Sequence, residues 1–151
     1  AATGLPAIAD DSGITVDALG GAPGVRSARF AGEDADDAAN NLLLLTQLAA
    51  AGADRPERRR AAFVCAAAFV LPDGSEHVAE GIIAGRVTDA PRGGNGFGYD
   101  PLFIADATAD GRTTGELQPA EKDAISHRAV AFAALRPTIA DHLSSGRVSS
   151  G

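Results

Sequence analysis

Residues 61–87 read AAFVCAAAFVLPDGSEHVAEGIIAGRV, and this stretch decides the fold. In its first half Phe63, Cys65, Ala67, Phe69 and Leu71 share one face of an extended chain, and smaller residues share the other. Pro72-Asp73-Gly74 then forms a turn, because proline presets the first turn dihedral and glycine tolerates a left-handed one. Ser75 to Val87 returns as a second strand, so the pattern predicts a β-hairpin. Arg58, Arg59 and Arg60 stand just before it and read as a solvated strand entrance.

Outward from the hairpin the chain is well punctuated. Upstream, Ala7 to Ala9 reads as a short buried strand that ends at Asp10-Asp11 and is broken by Ser12-Gly13. A loose alternation over Ile14 to Leu19 leads into a loop at Gly20-Gly21-Ala22-Pro23-Gly24. A helix follows. Asp34 is its expected N-cap, and Asp36 and Asp37 place acid in the first turn, where the helix dipole favours it. Ala38, Leu42, Leu45 and Ala49 fall on one face, Leu43, Leu44 and Leu48 widen it, and Gly52 closes the helix. Downstream, Pro91 to Gly98 is a glycine-rich loop and Pro101 to Ile104 a short strand. The last element starts near Pro119 as a helix with Ile125, Ala129, Phe132 and Leu135 at helical spacing, kinked or restarted at Pro137. Residues 144–151 read as a flexible tail, leaving 1–143 as a single domain.

The bulk numbers narrow the function classes. A chain of 151 residues with 45% hydrophobic residues and a mean hydropathy near zero suits one globular domain. The longest apolar run is too short to span a bilayer. A net charge of −7 disfavours double-stranded nucleic acid, which needs a basic face. Cys65 is the single cysteine, so neither an internal disulfide nor a cysteine zinc site is available, and a reducing cytoplasm is the expected compartment. His77 and His142 read as surface residues.

Three short segments carry candidate chemistry. Asp10-Asp11-Ser12-Gly13 puts carboxylates at a strand end, suited to hold a hard cation or to take a proton from water; taken alone, it serves equally as an Asp-Ser turn. Adjacent strand residues point to opposite faces, so one carboxylate at most faces a given site unless the strand ends between them. Gly93-Gly94-Asn95-Gly96-Phe97-Gly98-Tyr99-Asp100-Pro101 allows close backbone approach to a ligand and offers Phe97 as a flat face for a base, or forms a plain loop with an aromatic plug. Lys122, the only lysine, and Ser126 stand one helical turn apart, with His127 and Arg128 on the flank. That pattern alone is also that of a solvated helix face.

Taken together and in this order, LPAIADDSGITVDALGGAPGVRSARFAGE, GGNGFGYDPLF and EKDAISHRAVA closely resemble the signature segments of the inosine/xanthosine triphosphate pyrophosphatase (Ham1-like) family, from about Gly4 to Leu143. The resemblance implies an α/β fold with an elongated mixed β-sheet flanked by helices in two lobes, and a homodimer. It implies hydrolysis of deaminated purine nucleotides (ITP, dITP, XTP) to the monophosphate and pyrophosphate, with Mg2+ as cofactor. Asp11 would be the catalytic, metal-binding aspartate. Ser12, Phe97, Gly98, Tyr99, Asp100, Lys122, His127 and Arg128 would bind substrate, with Phe97 stacked on the purine and Lys122 and Arg128 as donors to its C6 keto oxygen. The resemblance assigns Asp10 no role, which leaves it as a structural residue or a support for the site residues beside it.

The family normally opens with a strand and a Ser/Thr-x-Asn-x-x-Lys motif that cradles the triphosphate, then a helix and a metal-binding glutamate. These segments do not precede Leu5, and the chain contains no methionine. The expectation is therefore a chain that lacks the family's first strand and helix and turns over weakly or not at all. The rival reading is a catalytically inactive nucleotide-binding or structural fragment of that family.

Overall fold

A computed structural model describes residues 4–145. The architecture is α/β. Four strands, β1 (Ala7–Val16), β2 (Arg60–Val70), β3 (Glu76–Val87) and β4 (Phe103–Ala105), form one sheet in the order β1-β2-β3-β4. Every ladder among the described residues is antiparallel. The helices are α1 (Asp37–Ala50), α2 (Pro119–Ile125) and α3 (His127–Ser145), with 3-10 turns at Asp17–Leu19, Gly24–Arg29, Pro56–Arg59 and Asp100–Leu102.

The hairpin forms where the sequence puts it. Gly74 N–H donates to the Leu71 carbonyl across the turn, and Gly74 takes a left-handed φ of 87°. On the face that carries Phe63, Cys65, Ala67 and Phe69, the register aligns Asp10, Ser12, Ile14 and Val16 of β1. Cys65, Ala67 and Phe69 pack on Ala131 and Leu135 of α3, while Ile14, Val16, Leu44, Leu48, Leu102 and Phe103 make a second, larger cluster. Each of those large side chains is essentially fully buried, worth about 1.5–3 kcal/mol apiece.

Several expectations are corrected. Strand β1 does not stop at the acidic pair; it runs unbroken through Ser12-Gly13 to Val16, because each of these residues has a partner on β2. Helix α1 is capped by Asp36, whose side chain accepts from Ala39 N–H at 2.8 Å, and not by Asp34. Its buried stripe is Asn40, Asn41, Leu44 and Leu48, while Leu42 is exposed. The stripe was misjudged because two asparagines occupy it as ligands for backbone: Asn40 accepts from Ala31 N–H and donates to the Ala28 carbonyl.

The late helix is two helices. Ser126 is extended at ψ 140°, and its hydroxyl accepts from Ala129 N–H, so it caps α3. Lys122 and Ser126 thus do not share a continuous helix face. Pro137 neither ends nor restarts α3, which continues to Ser145. Ser144 and Ser145 therefore belong to a helix; the rest of the expected tail lies outside the described residues. The short strand begins at Phe103, after a 3-10 turn. Arg59 is no solvated entrance residue, since its guanidinium donates to the carbonyls of Ala53, Val87 and Thr88. His142 packs edge-on against Phe69.

The break at Ser126 matters because it seats the first turn of α3 directly on β3. A methyl group at Gly81 would lie 1.9 Å from the His127 carbonyl oxygen and 2.6 Å from the Ala131 nitrogen. Gly81→Ala should therefore lift α3 off the sheet and destabilise the fold by about 1–3 kcal/mol in urea unfolding; an unchanged midpoint would show that this contact is not close.

Candidate active site

Three segments that are far apart in sequence meet on one cleft. Strand β1 supplies Ser12 and Gly13, the glycine-rich loop supplies Phe97 to Asp100, and α2 and α3 supply Lys122 and His127. Ser27, Asp37, Asn40 and Phe63 complete the lining. The Ser12 hydroxyl is buried without a hydrogen-bond partner, the state expected of a group that waits for a ligand.

Asp100 organises the far wall. Its side chain is 3% exposed. One carboxylate oxygen accepts from Phe97 N–H at 2.9 Å and pairs with the Lys122 ammonium; the other accepts from the Thr114 hydroxyl at 2.8 Å. Gly96 leaves the space for this pair, because a Cβ there would fall 2.0 Å from the carboxylate. Lys122 Nζ lies 4.8 Å from the centre of the Phe97 ring, and that ring is 66% exposed. An ammonium has three donors, so the pair with Asp100 leaves Lys122 others to offer. Tyr99 closes the floor, its hydroxyl donating to the Ser27 carbonyl at 2.7 Å. Burial, with the nearby charge of Asp37, pushes the phenol up to about 12, so it stays protonated.

His127 stacks on Phe63, with rings 5.0 Å apart and 16° from parallel. Burial is the main cause that pushes its imidazole down to about 4, and the cations Arg128 and Lys122 push the same way. At neutral pH it offers one N–H donor and one nitrogen acceptor and no charge.

Two predicted residues do not join this cleft. Arg128 is exposed and its Nε and Nη2 both lie 2.9 Å from Asp10, which is what Asp10 does in the fold. Asp11 points to the other face of the sheet, because β1 runs on through it and successive side chains alternate. There it lines a second depression with Glu80, two strands away, and Ser12 and Gly13 border both depressions. Among the described residues no group of three or more His, Cys, Asp or Glu side chains is placed to hold a metal by itself. Asp11 and Glu80 do offer hard oxygen donors on either side of the small Ala66, which suits a cation completed by phosphate oxygens.

Sequence reasoning missed Ser27, Asn40, Asp37 and Phe63. Asp37 carried a signal, but it was read only as acid for the helix dipole. The neutral His127 gives a test. Its folded value near 4 lies below the ordinary 6.5. Between those values the unfolded chain takes up a proton that the folded chain refuses, so acidification through this window lowers stability. An NMR titration should place the His127 midpoint near 4; a midpoint in the ordinary histidine range would contradict the packing described.

Comparison with other proteins bears on the family and the fold. The family model described as "Ham1 family" matches residues 1–138. The chain is 53% identical over 143 residues to a dITP/XTP pyrophosphatase of Corynebacterium diphtheriae, covering 93% of this chain and 68% of that one. It is 55% identical over 148 residues to a dITP/XTP pyrophosphatase of Frankia alni, covering 95% and 71%. Among solved structures, a HAM1 protein from Coxiella burnetii superposes with a TM-score of 0.82 at 42% identity, covering 92% of this chain and 69% of that one. A match over nearly the whole chain, at this identity and with the same fold, makes the chain a member of the Ham1 family.

Proposed function

We propose that this chain hydrolyses deaminated purine nucleoside triphosphates, among them ITP, dITP and XTP, to the monophosphate and pyrophosphate. The observation that carries the reading is the convergence of Ser12, the Phe97 to Asp100 loop, Lys122 and His127 on one cleft. The names of the relatives support it from outside.

The exposed Phe97 ring offers the purine a stacking face. Lys122, fixed by Asp100, has donors left for the C6 keto oxygen of inosine or xanthosine. Adenine carries an amino group there, so its binding would leave buried donors facing a donor, a costly mismatch. Arg128, paired with Asp10, does not line the base cleft.

With the base in the cleft, the triphosphate would pass over Ser12 and Gly13, the residues common to both depressions, towards Asp11. Asp11 would accept a proton from the water that attacks phosphorus, as pyrophosphate departs with the electrons of the broken P–O bond. Asp11 and Glu80 are the residues that would hold Mg2+. When bound, that ion screens phosphate charge and polarises the phosphoryl group. The family resemblance also carries a homodimer into this reading, and the single cysteine a cytoplasmic setting.

Pyrophosphate release from ITP, measured against ATP, tests the proposal. Release, weak as the sequence leads one to expect, should favour ITP, stop on chelation of divalent cations, and be abolished in Asp11→Asn. Full activity in that variant would reject the role of Asp11. Inosine nucleotides bound without pyrophosphate release would select a binding module instead.

A further inference from the structure

We propose that Asp37 and Asn41 of α1 are positioning residues that aim the Phe97 ring, and thereby set the affinity and selectivity of the site for its purine base. The inference rests on the proposed function, since it concerns the same cleft. It begins with Gly98, whose two backbone polar groups are both gripped by α1. Its N–H donates to the Asp37 carboxylate at 2.7 Å, and its carbonyl accepts from the Asn41 amide at 3.1 Å.

Asp37 and Asn41 stand one turn apart on one helix face, so a rigid element supplies both contacts. Asn41 is more than nine-tenths buried, with its amide nitrogen spent on Gly98 and its amide oxygen left without a partner among the described residues. The Asp37 carboxylate sits in the first turn of α1, where the helix dipole favours negative charge. Its bond to an amide N–H is therefore charge-assisted and stronger than a neutral one.

Gly98 is also the one conformational pivot between the two aromatic residues. Its φ is 60°, a left-handed value, with Phe97 before it and Tyr99 after it. On one side Phe97 N–H is held by Asp100, and on the other the Tyr99 hydroxyl is held by the Ser27 carbonyl. Without the α1 grip, the loop would keep its ends but lose its pivot. The Phe97 ring is largely exposed and has little packing to hold it, so its direction depends on the backbone beneath it. Stacking and keto recognition by Lys122 need both groups at once, so a loosened ring costs affinity and discrimination together.

The experiment uses the whole chain and the variants Asp37→Ala, Asp37→Asn and Asn41→Ala. Tyr99 is the only tyrosine and there is no tryptophan, so intrinsic fluorescence anisotropy reports the loop alone. The Gly98 amide proton, followed by NMR exchange, reports the grip itself. Asp37→Ala should speed Gly98 exchange, leave the anisotropy of the anchored Tyr99 unchanged, and weaken inosine monophosphate binding about tenfold. It should narrow the preference for inosine over adenosine monophosphate, with an unchanged far-UV spectrum. Asp37→Asn keeps an acceptor and should recover most of the affinity. Asn41→Ala should act in the same direction as Asp37→Ala. Faster Gly98 exchange with unchanged affinity and selectivity would overturn the proposal. A wild-type chain with a protected Gly98 amide that binds no inosine nucleotide would instead overturn the functional reading beneath it.

Discussion

A carboxylate withdrawn from water must be given partners, and the partners given to Asp100 dictate the geometry of the site. Its two oxygens bring together the Phe97 backbone, the Lys122 ammonium and the Thr114 hydroxyl, from three stretches of chain. Loss of Lys122 would leave the buried Asp100 carboxylate with two neutral donors and no counter-charge, a loss of about 1–3 kcal/mol. The loop, α2 and the segment between them are therefore not free to move apart. Lys122 is held beside the Phe97 ring as a consequence of that pairing. The stacking surface and the donor are fixed relative to each other before any ligand arrives, which is the preorganisation that recognition of a flat heterocycle requires.

The second constraint is the continuity of β1. Since the strand does not end at its acidic pair, Asp10 and Ser12 face α3 and the cleft while Asp11 faces the other side. This divides the labour of three adjacent residues. Asp10 neutralises Arg128, Ser12 leaves a free hydroxyl in the cleft, and Asp11 shares a separate depression with Glu80. A nucleotide is long enough to span such a split, with its base on one side and its phosphates beyond Gly13. Under the proposed function, the same division would keep the acidic Asp11 away from the base and on the side of the polyphosphate.

Much of this was legible in the sequence. The hairpin was, because its apolar alternation and its Pro-Asp-Gly turn obey local rules. The glycine-rich loop and the membership of Phe97, Tyr99, Asp100, Lys122 and His127 in one site were, because the resemblance covers all of them. What escaped were features set by tertiary contact. On the buried face of α1, Leu44 and Leu48 were legible but Asn40 and Asn41 were not, because hydrophobic periodicity does not register residues that bond to backbone. The break at Ser126 was missed because its serine was read as a point on one continuous helix face and not as a cap. The position of Arg128 depended on Asp10, 118 residues away, a pairing that no local pattern announces.

The central claim is that the purine base lies against Phe97, beside Lys122. Intermolecular NOEs between inosine monophosphate and the 15.2 kDa chain test it most directly. The account predicts contacts from the inosine ring protons to the Phe97 ring and to the side-chain methylenes of Lys122. Contacts instead to the methyl groups of Val78 and Ile82, exposed on the opposite face of the sheet, would contradict it.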